Sequence, residues 1–295
     1  MPTLTKHKFA FEIDNAEVEL SCLSREGQGE PVVFLHGFGS TKEDYADAAW
    51  HPLFAGRRLF AYDAPGCGES ACSDLEKISI PLLVKTAVAA LELEGIGKFH
   101  LVGHSMGGLT SLMLAHQYPQ RVLSFTDIEG NVAPEDCFLS RQIFQYPHSD
   151  PDKFLTDFIA RNGASPYFSS PLYATSVRHK VRAGAVRGIF ESMVELSDHG
   201  ALMEKFIALP MPRMFMFGEQ NDSLSYLAHL EDQGVELARI PLSAHFPMYS
   251  NAPEMWRRIH DFQRRAQCAQ SAGEGLGTLS GLPSSSPNAQ PPLRR

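Results

Sequence analysis

Residues 103–107 read Gly-His-Ser-Met-Gly, set between the apolar run 99–102 and a helix-like stretch at 108–117. No other segment constrains the fold as tightly. A serine at a strand-to-helix turn sits on a strained backbone, and small residues two positions before and after it keep strand and helix from clashing. Such a turn lifts the Ser105 hydroxyl above the sheet, where a substrate and a base can both reach it. The flanking residues supply the strand and the helix that the turn requires.

The same alternation extends along the chain. Residues 31–35 and 59–62 are short continuous apolar runs, as expected of strands buried on both faces. Between 59–62 and 99–102 lies 80–93, with Leu83, Val84, Ala87 and Leu91 at helical spacing. A helix at 109–115 stops at Tyr118-Pro119, and 122–128 returns to strand character. At the N-terminus, 8–13 and 17–23 alternate in polarity around Asp14-Asn15, which predicts a hairpin. Strands alternating with helices imply an α/β fold, a mostly parallel eight-stranded sheet with helices on both faces. A chain of 295 residues, 43% hydrophobic, can bury such a core in one domain with an inserted subdomain.

The rhythm breaks after Gly130. Residues 131–208 hold helical pieces at 154–161 and 186–196 between Pro- and Ser-rich turns, with no buried strand. Aromatics crowd this segment: Phe138, Phe144, Tyr146, Phe154, Phe158, Tyr167, Phe168 and Tyr173. The rhythm resumes at 213–217, 224–230, 235–240 and 253–264. The expected organisation is a core at 1–130 and 209–266, with a helical cap at 131–208 inserted after the sixth strand. Residues 267–295, rich in Ser, Gly, Pro and Gln and without aromatics, read as a disordered tail.

Net charge is -8, with both signs mixed along the chain, which argues against a nucleic-acid groove or an anionic membrane as partner. The five cysteines form no CxxC pair and no metal-like pattern with histidine, so reduced thiols are expected. No secretory signal is visible in residues 1–14, and no run approaches the roughly 20 apolar residues of a membrane span. The expectation is a cytoplasmic protein without metal or cofactor, acting on a small molecule. Its oligomeric state is left open.

Four motifs in fixed order carry a family resemblance. His36-Gly37-Phe38-Gly39 follows the third strand and Asp63-Ala64-Pro65-Gly66-Cys67-Gly68-Glu69-Ser70 the fourth. The Ser105 turn follows the fifth, and Ala244-His245-Phe246-Pro247 the last. Over about residues 8–265 the chain resembles the α/β-hydrolases. A serine hydroxyl is a poor nucleophile at neutral pH and needs a base within hydrogen-bond reach. Of twelve histidines, the resemblance singles out His245, which lies between an apolar strand end and a Pro-marked helix start. His104 should point away from the pocket, and His36 should organise the loop after the third strand. An oxyanion hole needs backbone N–H groups aimed at developing charge. Met106, the residue after the nucleophile, supplies one, and the resemblance assigns the other to Phe38. Gly37 and Gly39 are expected to let that loop approach the substrate.

The acid departs from the common pattern. Most of the family places it three residues beyond a glycine after the strand that follows the cap. Here that slot, in Gly218-Glu219-Gln220-Asn221-Asp222, holds Asn221. Asp222 comes one residue late, and Glu219 is close to the strand end. Glu129, ending the sixth strand, is preferred to Asp222. Haloalkane dehalogenases and the zearalenone-type lactone hydrolases are similar in taking a glutamate from that place. A carboxylate ending an apolar strand must be paired to be tolerated, and the imidazolium of His245 would pair it.

The resemblance implies a serine hydrolase working through an acyl-enzyme: Ser105 nucleophile, His245 base, Glu129 or alternatively Asp222 as acid, Phe38 and Met106 as oxyanion donors. The aromatic cap suggests an apolar, ring-containing ester or lactone. A carbon–carbon bond hydrolase and a cofactor-free perhydrolase of the same fold are the alternatives, and a non-catalytic ligand receptor is the alternative from another class.

Overall fold

The computed structural model describes residues 3–277. The chain opens with a hairpin, β1 (Thr5–Ile13) and β2 (Ala16–Arg25), whose turn residues Asp14 and Asn15 both take positive φ, 50° and 59°. That pair matches the twist of a two-residue hairpin loop. β3 (Gln28–Leu35), β4 (Arg57–Tyr62), β6 (Phe99–His104), β7 (Val122–Ile128), β8 (Arg213–Gly218) and β9 (Glu236–Ile240) follow, each parallel to its neighbours among them. The order is β1-β2-β4-β3-β6-β7-β8-β9. A two-residue strand, β5 (Ala71–Cys72), pairs with β2 as a ninth member beyond the eight expected.

β3 lies between β4 and β6, so the winding direction reverses there. Ligands in open α/β sheets bind at the carboxyl ends of strands beside such a switch point. The loops carrying Phe38, Ser105, Glu129 and Asn221 leave the carboxyl ends of β3, β6, β7 and β8. The stripe anticipated in α1 (Ile80–Leu93) is buried at Leu83, Val84, Ala87 and Leu91. α2 (Met106–Gln117) buries nearly all of its first ten residues behind the sheet's centre.

Between β7 and β8 the chain contains no strand. Two short 3-10 turns lead into α3 (Pro151–Gly163), α4 (Ser169–Lys180), α5 (Ala183–His199) and α6 (Leu202–Ile207). α3 and α5 cover the two helical pieces read from spacing. α4 escaped that reading because its buried face mixes Ser169, Ser170 and Tyr173 with Ala174 and Val177, which breaks the apolar stripe. Backbone bonds tie this cap to the loop after β4: Gly68 N–H donates to Lys180 C=O at 2.7 Å and Arg182 N–H to Gly66 C=O at 2.9 Å.

After the cap come α7 (Leu227–Asp232), α8 (Pro247–Ser250) and α9 (Ala252–Gly277). α9 corrects the expected tail, running through Gln267 to Gly277. Trp256, Ile259, Phe262 and Ala266 bury one face and nucleate it. The following residues contain no proline before Pro283, and extending a formed helix is far easier than starting one. The rest of the expected tail, 278–295, lies outside the described residues. No helix among the described residues is long and apolar enough to cross a membrane.

Candidate active site

β6 ends directly at Ser105, whose φ is 53° and ψ −119°. Holding a non-glycine residue there costs about 1–3 kcal/mol, so its surroundings must enforce it. Ser105 N–H donates to Ile128 C=O at 2.9 Å, fixing the turn to the end of β7. The flanking glycines are obligatory. A Cβ on Gly103 would lie 2.4 Å from Ser111 Oγ, and one on Gly107 2.2 Å from Leu35 O. Met106 opens α2 with its side chain buried. Its N–H precedes the first helical carbonyl that could take it.

Glu129, one residue past β7, is also held at positive φ, 47°. Its N–H donates to Met216 C=O at 3.0 Å. Three donors orient its carboxylate: Gly218 N–H on Oε1 at 2.7 Å, and Asn221 Nδ2 and His245 Nδ1 on Oε2 at 2.7 and 2.8 Å. Asp222 instead faces Arg239 at 3.4 Å, with over half of its side chain exposed. Glu219 faces the same arginine at 3.5 Å. The structure therefore joins His245 to Glu129 and leaves Asp222 outside. Asn221, in the slot where the family carries its acid, donates to Glu129.

Asp127, two residues before Glu129, is fully buried and accepts Gly130 N–H on Oδ1 at 2.9 Å. Burial pushes its carboxyl well above the usual range. The bond closes a short turn around Glu129 and helps hold its left-handed backbone.

His245 Nδ1 faces a carboxylate, which only accepts. The proton therefore sits on Nδ1, and Nε2 keeps a lone pair. Neither Nε2 nor Ser105 Oγ makes a hydrogen bond among the described residues, and both residues line one cavity. His104 lies outside that cavity, as expected. It is buried, its Nε2–H donates to the His245 carbonyl at 2.8 Å, and burial holds its pKa well below the usual value. His36 accepts Ala64 N–H on Nε2 at 2.8 Å, so its Nδ1–H donates to Gly37 C=O at 2.8 Å. It thereby links the loops after β3 and β4.

The Phe38 carbonyl accepts Tyr173 OH at 2.8 Å, while its N–H takes no partner among the described residues. The neighbouring glycines make room for protein groups: a Cβ on Gly37 would meet His104 Nδ1 at 2.6 Å, and one on Gly39, at φ 72°, would meet Tyr173 Oη at 2.3 Å.

The cavity has a volume of about 350 Å³. Phe38 packs against Phe190 at 4.5 Å and Phe158 at 5.6 Å between ring centres, and Tyr173 stacks on Phe246 at 4.4 Å. Of the cap aromatics singled out in the sequence, Phe138, Phe158, Tyr167 and Tyr173 line it. Phe154 is core, and Phe144 and Phe168 are exposed. Asp136 also lines the cavity, accepting Val132 N–H and Ala133 N–H at 2.8 Å each and Tyr226 OH at 2.8 Å. Burial pushes its carboxyl up to about 6 despite those donors.

The alpha/beta hydrolase fold model matches residues 30–190. The chain belongs to that family. Among curated relatives it is 45% identical over 105 residues to the dihydrolipoyllysine-residue acetyltransferase component of an acetoin cleaving system from Pseudomonas putida, covering 35% of this chain and 27% of that one. It is 35% identical over 123 residues to a pimeloyl-[acyl-carrier protein] methyl ester esterase from Aeromonas hydrophila, covering 40% of this chain and 43% of the relative. The chain thus spans less than half the length of these curated relatives. A carboxylesterase structure from Nitrososphaera gargenis superposes with a TM-score of 0.74 at 17% identity, covering 88% of this chain and 99% of that one.

Within this hydrolase-fold framework, sequence reasoning missed Phe190, Met193, Asn131 and Tyr226 on the cavity wall. Phe190 and Met193 were legible only as part of the apolar stripe of α5. Tyr226 and Asn131 carried no local signal, because what places them is the meeting of two segments distant in sequence. Among the described residues no group of three or more His, Cys, Asp or Glu is arranged to hold a metal ion.

Proposed function

We propose that the chain is a serine hydrolase of carboxylic esters or lactones. The observation that carries this reading is the Glu129–His245 pair, closed at 2.8 Å across two loops far apart in sequence. It lies on the wall of the cavity that also contains the strained Ser105. Ser105 Oγ attacks the substrate carbonyl while His245 Nε2 takes its proton. Glu129 stabilises the imidazolium, and the N–H groups of Met106 and Phe38 receive the developing oxyanion. His245 then protonates the departing alkoxide, which leaves an acyl-Ser105. Water, deprotonated by the same imidazole, hydrolyses that acyl-enzyme and restores the hydroxyl. Ring walls from Phe38, Phe158, Phe190 and Phe246 favour an apolar acyl group.

Replacing Ser105 with alanine is expected to lower turnover of p-nitrophenyl esters by about 10⁴-fold or more. A fluorophosphonate probe should label wild type at Ser105 and leave Ser105→Ala unmodified. Undiminished activity in the alanine variant would sink the assignment, and an unlabelled wild type would favour a non-catalytic receptor.

A further inference from the structure

Among the amide and charged side chains of the cavity, Asn131 is the most buried: it is 3% exposed, yet it lines the cavity two residues beyond Glu129. Its amide is pinned on one side only. Nδ2 donates to Cys137 Sγ and to Ser197 Oγ, each at 3.1 Å. The Cys137 thiol proton is directed to Met193 C=O at 3.7 Å, so the sulfur is the acceptor toward Asn131. Oδ1 meets no donor among the described residues and is open to the cavity, where a ligand donor can reach it.

The other polar groups there differ. Asn162 also leaves Oδ1 without a donor among the described residues, but it is only half-buried, and its Nδ2 is spent on the Phe158 carbonyl of its own helix. The Asp136 carboxylate is filled by two backbone N–H groups and Tyr226. Arg161 donates to Tyr146 OH at the exposed rim.

We propose that Asn131 selects the substrate: its Oδ1 accepts a hydrogen bond from a hydroxyl or amide N–H on an otherwise apolar ester or lactone. This rests on the hydrolytic reading of the same site. A pocket with several aromatic walls and a deeply buried amide oxygen open to it fits an acyl chain or ring that carries a donor. It disfavours both a plain hydrocarbon chain, which leaves Oδ1 bare, and an ether at the same place, which sets oxygen against oxygen. The asymmetry is the usual one: losing a hydrogen bond the site was built for discriminates more than adding a methylene does.

The test compares methyl octanoate with its β-hydroxy and ω-hydroxy derivatives, their O-methyl ethers and N-hexanoylglycine methyl ester. Wild type should hydrolyse at least one donor-bearing ester about tenfold faster, by kcat/KM, than its ether or the plain ester. In Asn131→Leu, similar in shape and without the acceptor, that ratio should fall to about one. Wild type alone decides if the variant does not fold, because equal rates across the panel overturn the proposal. Calorimetric binding of the same panel to Ser105→Ala separates the two readings. A binding preference for the donor esters without turnover in wild type upholds the role of Asn131 and refutes hydrolysis. Hydrolysis with no preference refutes the role of Asn131 alone.

Discussion

The carboxyl ends of β6 and β7 lie side by side and solve one problem in two ways. Each strand runs directly into a non-glycine residue at positive φ, Ser105 at 53° and Glu129 at 47°. Each of these donates its N–H to the end of the next strand, Ser105 to Ile128 and Glu129 to Met216. At Ser105 the strain is relieved by absence, since glycines on both sides remove Cβ atoms that would collide. At Glu129 it is relieved mainly by bonds, with Asp127 holding Gly130 and three donors holding the carboxylate; the one glycine it needs is Gly130, whose Cβ would lie 2.2 Å from Asp127 Oδ1. A turn made by deleting atoms leaves a mark in the sequence. One made by long-range bonds leaves almost none.

The largest effect should come from breaking the bonded turn at its centre. Glu129→Gln keeps the size of the side chain but replaces an acceptor oxygen or its charge facing His245 Nδ1. The wrong tautomer of His245 then competes, and kcat should drop by about 10³–10⁴-fold. Steady-state kinetics on a p-nitrophenyl ester measures this, and a loss below tenfold would remove Glu129 from the mechanism.

Asn221 tests whether the two acid positions are interchangeable. Asn221→Ala removes one of three donors on Glu129 and should lower kcat about tenfold, with KM little changed. Asn221→Asp alone places a second carboxylate beside the first and should be worse, because like charges repel at that distance. In the Glu129→Gln background the same aspartate stands in the family's usual slot, so the double variant should recover at least tenfold over Glu129→Gln. No recovery would mean that Asn221 does not reach the His245 side of the site in the way its bond to Glu129 implies.

How much was legible follows the same division. The Ser105 turn, the β1–β2 hairpin and the stripe of α1 rest on local rules of sterics and periodicity, and residues 99–117, 5–25 and 80–93 carry them openly. His245 and the choice of Glu129 came from motif order and from an empty acid slot. That Asn221 would turn its amide onto Glu129 could not be read, because the contact joins residues from opposite ends of the cap insertion. Gly37 and Gly39 were visible as glycines, but what they make room for, His104 and Tyr173, is set by tertiary packing. The length of α9 was hidden because weak composition says little once a buried face has nucleated the helix.

The bonded turn also continues into the cap entrance, where Asp136 takes the N–H groups of Val132 and Ala133 and the hydroxyl of Tyr226. Its pKa is raised to about 6, burial being the first cause. The folded state therefore binds this proton more tightly than the unfolded chain does. The group's contribution to stability is fully present below its unfolded pKa of 3.8 and is lost as pH rises to about 6. Asp136→Asn cannot ionise and should abolish that part of the pH dependence. The difference in unfolding free energy between variant and wild type should move in the variant's favour by roughly 2–3 kcal/mol between pH 4 and 7. A pH-independent difference in urea midpoints would show that Asp136 is no more strained than an ordinary surface carboxylate.

The smallest effect sharpens the comparison most. Asp222 is one residue from Asn221, yet among the described residues its carboxylate meets only Arg239, at 3.4 Å on an exposed surface. Exposed ion pairs of this kind contribute about 0–1 kcal/mol. Asp222→Asn should therefore leave kcat/KM within about twofold and shift the thermal midpoint by no more than about 2 °C. If its kcat instead fell as far as that of Glu129→Gln, the acid would have to be shared between the two loops. The contrast between these two carboxylates isolates what position alone contributes, because both are acidic, both follow a strand of the same sheet, and only one reaches His245.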